Sequence, residues 1–312
     1  MKILVLGAGA VGGYFGGRLA EAGADVTFLV RERRAAQLEA DGLVVKSPHG
    51  EIRRKVPIVR EGAAKPEHDL VLLTCKAYDL DAAIAAIAPA VGPTTFVLPL
   101  LNGLAHLERL DAAFGAARVL GGTCYLAGTL TPQGEIVQLS PLHRIAFGKR
   151  PGNDAKAAVA LMKLAAAFAK TKIDAQLASD ILLEMWEKYV LLATLAAMTC
   201  LMRASVGDIV ATDEGEALTV ACLATCEDTA KAAGHEPRAD RMAQARKMLT
   251  EAGSTFTASM LRDIEAGNRT EADHIVGDML KRAAAAKVPC GILRAAYCHL
   301  QAYEARRRRE KK

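Results

Sequence analysis

The run Gly7-Ala8-Gly9-Ala10-Val11-Gly12-Gly13, placed directly after the apolar stretch Ile3 to Leu6, constrains the fold more than any other feature of the chain. A helical pattern follows it from Val11 to Ala22 and closes at Gly23. Strand, tight turn and helix in that order make a βα unit whose turn can receive a pyrophosphate. Gly7 permits the turn, Gly9 lets a ligand approach the backbone, and Gly12 allows the helix to pack closely on the strand. Ala10 and Val11 open the helix, where unpaired N–H groups favour an anion. A glycine turn without a ligand is the plainer alternative; the strand before it and the helix after it weigh against that.

The first half of the chain keeps alternating. Val26 to Val30, Leu70 to Thr74, Thr95 to Leu98 and Val119 to Tyr125 read as further strands, and a helix over Leu80 to Ala88 is stopped by Pro89 and Gly92-Pro93. This alternation predicts an α/β domain with a parallel, doubly wound sheet of Rossmann type. Gly42 to Val45 and Glu51 to Val56, flanking Pro48-His49-Gly50, predict a hairpin inserted into that core. Antiparallel patterning from Val119 to Arg144 would extend the far edge of the sheet, Asn153 to Lys170 reads as a helix, and Ile173 to Ala175 as a short closing strand. Beyond Ser179 only helical periodicity is found. The expected organisation is a Rossmann domain over residues 1–178 and an all-helical domain over residues 179–312.

Composition removes several function classes. The net charge of +5 is matched by the last seven residues, Arg306 to Lys312, which carry six bases and one acid. The body is therefore near neutral, with no basic groove for a duplex, and the tail reads as a solvated, frayed end. Aromatic residues make up 4% of the chain, too few for a base-stacking platform, so no nucleic-acid partner is expected. The seven cysteines form no CxxC pair, and Cys298-His299 has no second ligand pair at metal-site spacing. They read as reduced core residues, with no metal site. The longest apolar run, Tyr189 to Met202, falls short of the ~20 residues of a membrane span and reads as a buried helix. Met1-Lys2 leads straight into a strand without a signal-peptide pattern, so a cytoplasmic location is expected. Long helices such as Leu218 to Ala233 and Ile275 to Ala286 could supply a homodimer face.

The end of the second strand selects the dinucleotide. An acid there would bind a ribose 2′-hydroxyl and repel a 2′-phosphate. Arg31 stands there instead, with Arg33 and Arg34 behind it, and guanidinium forks match phosphate, which favours NADP. The alternative is that these arginines merely open an exposed helix while Glu32 takes the ribose. Lys76, just past the Leu70 to Thr74 strand, lies at the carboxyl edge where open α/β sheets bind ligands.

Several segments together resemble the ketopantoate reductase (2-dehydropantoate 2-reductase) family, nearly end to end. They are the opening KILVLGAGAVGGYFGGRLAEAG, Arg31, LTCKAYD with Lys76, Leu101-Asn102-Gly103, Trp186-Glu187-Lys188, Ser259-Met260-Leu261-Arg262-Asp263 and Thr270-Glu271-Ala272-Asp273. The resemblance implies NADPH-dependent reduction of a small 2-oxo acid, 2-dehydropantoate to pantoate, and with it a place in pantothenate biosynthesis. It implies that Lys188 is the catalytic lysine and Glu271 an active-site glutamate. Ser259 then binds the substrate carboxylate, Asn102 sits where cofactor and substrate meet, and Arg31 and Lys76 contact NADP. Hydride addition to a ketone places negative charge on oxygen, which an ammonium can stabilise and protonate. Taken alone, Lys188 reads as a snorkelling surface lysine and Glu271 as an acid in a helix's first turn. Against the first reading, Lys188 directly precedes fourteen uncharged residues, which sets its charge at the mouth of something buried.

The chain departs from the family pattern four and eight residues beyond Lys188, where the family carries asparagines and this sequence has Leu192 and Ala196. These positions share a helix face with Lys188. The family's Gln-Asn-Gly-x-Gly is altered as well, with Leu101 before Asn102 and Ala105 at the second glycine. A reductase of a less hydroxylated 2-oxo acid is therefore an alternative, as is a non-catalytic NADPH-binding sensor.

Overall fold

The computed structural model describes residues 1–310, and their contacts divide the chain into two compact units. The first comprises Met1–Leu101 and His106–Ile181; the second comprises Asn102–Ala105 and the residues from Leu182 on.

In the first unit the chain runs β1 (Lys2–Leu6), α1 (Ala10–Glu21), β2 (Asp25–Val30), α2 (Glu32–Asp41), β3 (Leu43–Lys46), β4 (Ile52–Arg54), β5 (Ile58–Arg60), β6 (Leu70–Leu73), α3 (Leu80–Ile87), β7 (Phe96–Pro99), α4 (Ala105–Phe114), β8 (Gly121–Leu130), β9 (Glu135–Gly148), α5 (Ala155–Phe168) and β10 (Asp174–Leu177). Five of the strands form a parallel sheet in the order β5-β2-β1-β6-β7, with Leu4 opposite Thr27 on one side and Val71 on the other. Every residue of β6 and β7 is buried, as expected of strands covered on both faces. The order runs outward in both directions from β1, so the turn after β1 lies at the switch point where ligands of such sheets bind.

The remaining strands correct the expectation of a single extended sheet. β8 and β9 pair antiparallel, with a register shift between Leu126 and Gly128, and β9 also pairs in parallel with β3 and β10. Together with β4 they form a second sheet, and the hairpin of β3 and β4 belongs to it and not to the doubly wound core. One isolated bridge, Val97 to Val119, links the first sheet to the strand region before β8.

The glycines of α1 explain how one helix serves two sheets. A Cβ on Gly12 would lie 3.1 Å from Val5, and one on Gly16 would lie 2.9 Å from the Phe28 ring, both on the first sheet. On the other face, a Cβ on Gly13 would meet Ile136 of β9 at 2.1 Å and one on Gly17 would meet Leu43 of β3 at 2.9 Å. The helix is bare on both sides so that both sheets can close on it.

The second unit holds α6 (Ile181–Met202, whose first residue groups with the first unit), α7 (Val206–Val210), α8 (Gly215–Ala232), α9 (Ala239–Leu249), α10 (Ser259–Glu265), α11 (Asp278–Ala285) and α12 (Gly291–Glu310), with a wide π-helical turn over Asp273–Gly277. From Glu184 to Leu191 and from Ala193 to Cys200, α6 is buried without interruption. Inside it, Thr194 and Thr199 donate back to the carbonyls of Val190 and Leu195, the usual way a helix satisfies buried hydroxyls. The basic tail departs from expectation. Arg306 to Arg309 continue α12, with Arg306 bonded to Glu310 and Arg307 to Glu304; Lys311 and Lys312 lie outside the described residues. The cysteine expectation also needs correcting, since Cys298 is exposed and Cys75 is half-buried, while the other five are buried. No helix among the described residues is long and apolar enough to cross a membrane.

Candidate active site

At the carboxyl end of the first sheet lies a cleft of about 640 Å³ lined by Gly7, Gly9, Arg31, Arg34, Glu61 and Thr74, among others. Its floor is the turn between β1 and α1. Gly7 has φ of +87°, which a side chain would strain, and a Cβ on Gly9 would meet nothing within 4 Å, so that backbone is open to a ligand. Ala10 and Val11 begin α1, whose first turn contains no acidic residue. Gly12 faces inward: a Cβ there would sit 2.3 Å from both the Gly7 carbonyl oxygen and Thr74 Oγ1. Thr74 is itself tied to the Leu6 carbonyl at 2.8 Å.

Each arginine after β2 has a different task. Arg31 is largely exposed and pairs at 3.6 Å with Glu61, a cleft-lining acid that sequence reasoning did not single out. Arg34 donates through Nε to the Ala8 carbonyl and through Nη1 to the Gly134 carbonyl, so it fastens α2 to the glycine turn and to the bend between β8 and β9. Its Nη2 is buried with no hydrogen-bond partner among the described residues, and burial holds the guanidinium below its usual pKa. An open glycine backbone, a helix N-terminus and an unsatisfied buried guanidinium nitrogen fit an anionic dinucleotide. Glu32, the alternative ribose ligand, is bonded to Arg60 at 2.9 Å and does not line the cleft. Lys76 is exposed beyond β6 and is also absent from the lining.

The second unit holds the other predicted residues, and of these Asn102 and Lys188 are in hydrogen-bond contact. Three consecutive residues of α6 do three separate jobs. Trp186 packs against Tyr189 and under the Arg282 guanidinium, Glu187 accepts bonds from Arg238, and Lys188 donates to Asn102 Oδ1 at 2.9 Å. Arg238 also bonds Glu184, and the two carboxylates hold its pKa well above the usual guanidinium value. Lys188 is 6% exposed and Glu271 8%. The Glu271 carbonyl receives the backbone N–H of His274 and of Ile275, which starts the wide turn. Such turns are often found where a helix is adapted to a site. His274, which the sequence did not flag, packs against Gly103 beside Asn102. Ser259 begins α10 and is exposed.

A doubly wound sheet with a cleft floored by a glycine turn defines a nucleotide-binding class of fold, to which this chain adds a helical unit carrying a buried lysine. The comparisons narrow this. Residues 3–152 match ketopantoate reductase PanE/ApbA and residues 180–304 match its C-terminal counterpart, so the chain belongs to the ketopantoate reductase family. It is 35% identical to the uncharacterized oxidoreductase YkpB of Bacillus subtilis over 98% of this chain and 99% of that one. The structure of 2-dehydropantoate 2-reductase from Geobacter metallireducens is 28% identical, covers 97% of this chain and 99% of its own, and superposes with a TM-score of 0.85. D-mandelate dehydrogenase, solved with NADH and anilino(oxo)acetate, shares the fold at 21% identity and a TM-score of 0.87, with coverage of 99% and 100%.

Proposed function

We propose that this chain reduces a 2-oxo acid of the 2-dehydropantoate class to its 2-hydroxy acid with NADPH. The observation that carries the reading is the buried ammonium of Lys188 held 2.9 Å from Asn102 Oδ1. NADPH, when bound, supplies a hydride to the carbonyl carbon. Gly7 and Gly9 would leave room for its pyrophosphate at the start of α1, where the N–H groups of Ala10, Val11 and Gly12 would answer the charge, while Arg31, on leaving Glu61, and Nη2 of Arg34 would answer the 2′-phosphate, with Lys76 at the edge of the sheet. Lys188 stabilises the developing alkoxide and gives it a proton. Glu271 sustains the lysine's charge, Ser259 receives the carboxylate, and Asn102 orients the ammonium. A sensor of NADPH would need none of Lys188, Glu271 and Ser259.

Cofactor choice is a testable consequence. NADPH should bind more tightly than NADH by about 1 to 3 kcal/mol, the scale of charge-assisted hydrogen bonds. Arg31→Asp should erase that preference, as read by quenching of cofactor fluorescence. Equal affinities in the unmutated protein overturn the assignment.

A specific observation favours a second reading of the substrate tail. Leu192, half-buried, and Ala196 continue the Lys188 face of α6 without a polar group. The hydroxyls of the same helix are engaged elsewhere: Thr194 and Thr199 with their own helix, and Tyr189 with the Ile275 carbonyl at 2.8 Å and Asp278 at 3.0 Å. A hydroxylated tail therefore meets an apolar wall, at a cost of about 1–3 kcal/mol per unsatisfied group. Specificity constants measured for a panel of 2-oxo acids with NADPH test both readings. We expect 2-oxo-3,3-dimethylbutanoate to be reduced at least as efficiently as 2-dehydropantoate, and Leu192→Asn to move the preference toward the latter. A strong preference for 2-dehydropantoate in the unmutated enzyme removes the second reading, and no turnover of any 2-oxo acid despite tight NADPH binding removes the first.

A further inference from the structure

We propose that His274 is a positioning residue for Lys188, acting through the Asn102–Gly103 turn, and that a hydrogen-bonding amide side chain can replace it where an apolar ring cannot. The inference rests on the reading of Lys188 as the proton donor.

Lys188 Nζ bonds Asn102 Oδ1, so whatever fixes Asn102 also fixes the ammonium. Asn102 is followed by Gly103 at φ of +75°, a conformation that L side chains rarely adopt. A Cβ on Gly103 would lie 3.1 Å from the His274 carbonyl oxygen, 3.2 Å from its Cδ2 and 3.4 Å from its Nε2, so His274 presses on the turn with both main chain and ring. The Asn102 backbone also acts on the ring as a hydrogen-bonding partner, pulling the His274 pKa upward against burial.

His274 is held in turn from its own side. Its N–H and that of Ile275 donate to the Glu271 carbonyl, and the Ile275 carbonyl accepts from the Tyr189 hydroxyl at 2.8 Å. Tyr189 follows Lys188 directly in α6. The contacts therefore close a circuit from Lys188 through Asn102, His274, Ile275 and Tyr189 back to Lys188. Opening it at His274 frees the acceptor that orients the ammonium.

The ring's charge state suits this role. Burial, the largest influence, lowers the His274 pKa, as does Arg282, against the opposing pull of Glu271, Asp278 and the Asn102 bond. The imidazole is thus neutral at neutral pH and adds no cation at the Asn102–Gly103 turn.

The alternative role, simple space filling, predicts a different ranking of variants. His274→Phe fills the volume without the bond to Asn102; His274→Gln can keep a bond but fills less. Three measurements separate the roles: NADPH affinity by fluorescence, single-turnover hydride transfer at saturating 2-oxo acid, and the titration of Lys188 by NMR after reductive ¹³C-methylation, its resonance assigned with Lys188→Arg. His274→Phe should slow transfer about tenfold or more and move the Lys188 titration by about half a pH unit or more, with NADPH affinity within about twofold of the parent. His274→Gln should recover transfer to within about threefold of the parent and restore the titration. Equal behaviour of the two variants, or a Phe variant that matches the parent in transfer and titration, overturns the proposal. If the parent turns over no 2-oxo acid, the functional reading fails separately, and the Lys188 titration still decides the role of His274.

Discussion

Lys188→Ala should lower kcat by about a hundredfold to ten-thousandfold, the range attributed to a positioned proton donor, while NADPH affinity stays near that of the parent. The asymmetry follows from where the charge acts. The ammonium answers an oxygen that becomes negative only as the hydride arrives, so its loss is felt in the transition state and little in the ground state. The structure adds a condition. Lys188 is buried, so alanine leaves Asn102 Oδ1 without this donor, and the fold must be checked by thermal unfolding. Lys188→Arg keeps the charge but changes its reach and donor geometry, and it should recover only a small part of the rate. Near-normal kcat in Lys188→Ala would remove the mechanism altogether.

The second large effect belongs to the glycine turn, where two neighbouring glycines predict opposite phenotypes. In Gly12→Val the new Cβ meets the Gly7 carbonyl oxygen and Thr74 Oγ1, each 2.3 Å away, and Thr74 is held by Leu6. Relief requires α1 to move off β1. Overpacking of this kind costs about 1–3 kcal/mol and sometimes more, so we expect a fall of about 5 °C or more in Tm with loss of measurable dinucleotide binding. At Gly9 a Cβ meets no protein atom within 4 Å. Gly9→Ala should therefore leave Tm within about a degree of the parent yet weaken NADPH about tenfold or more, because the added methyl intrudes only on what occupies the cleft. Scanning calorimetry and fluorescence titration check both variants. A Gly9→Ala protein that binds NADPH normally would show that the cofactor does not lie on this turn.

The turn was readable because it is local: residues 3–23 contain the strand, the bend and the helix, and each agrees with the others. The parallel character of the first sheet was readable from the alternation of strands and helices, whereas its strand order and the short edge strand β5 were not. Sheet membership of β3, β4, β8 and β9 was not. Alternation identifies a strand and its two faces, but a strand such as β9 chooses β3 and β10 as partners from distant parts of the chain, and no local periodicity records that choice. The paired glycines of α1 held the clue, since a helix bare on two faces calls for two neighbours.

The candidate site divides in a similar way. Asn102, Lys188 and Glu271 were legible through family motifs, and the structure brings Asn102 and Lys188 into hydrogen-bond contact. Arg34 has the composition of a phosphate ligand, yet most of its donors are spent on Ala8, Gly134 and Gln37, a use visible only once those atoms are close. Glu61 and His274 gave no signal at all. Their importance lies in what they face, Arg31 and the Asn102–Gly103 turn, and neither partner is adjacent in sequence.

Four residues, Asn102–Ala105, count by contact with the helical unit although the chain on both sides of them counts with the first. In terms of inheritance this makes the boundary between the units discontinuous. A chimera spliced once near residue 181 takes Lys188, Glu271 and His274 from one parent and their partner turn from the other. The turn is then a third recombination segment. Parents that differ in its residues must exchange it together with the C-terminal half for Lys188 and its acceptor Asn102 to remain a matched pair.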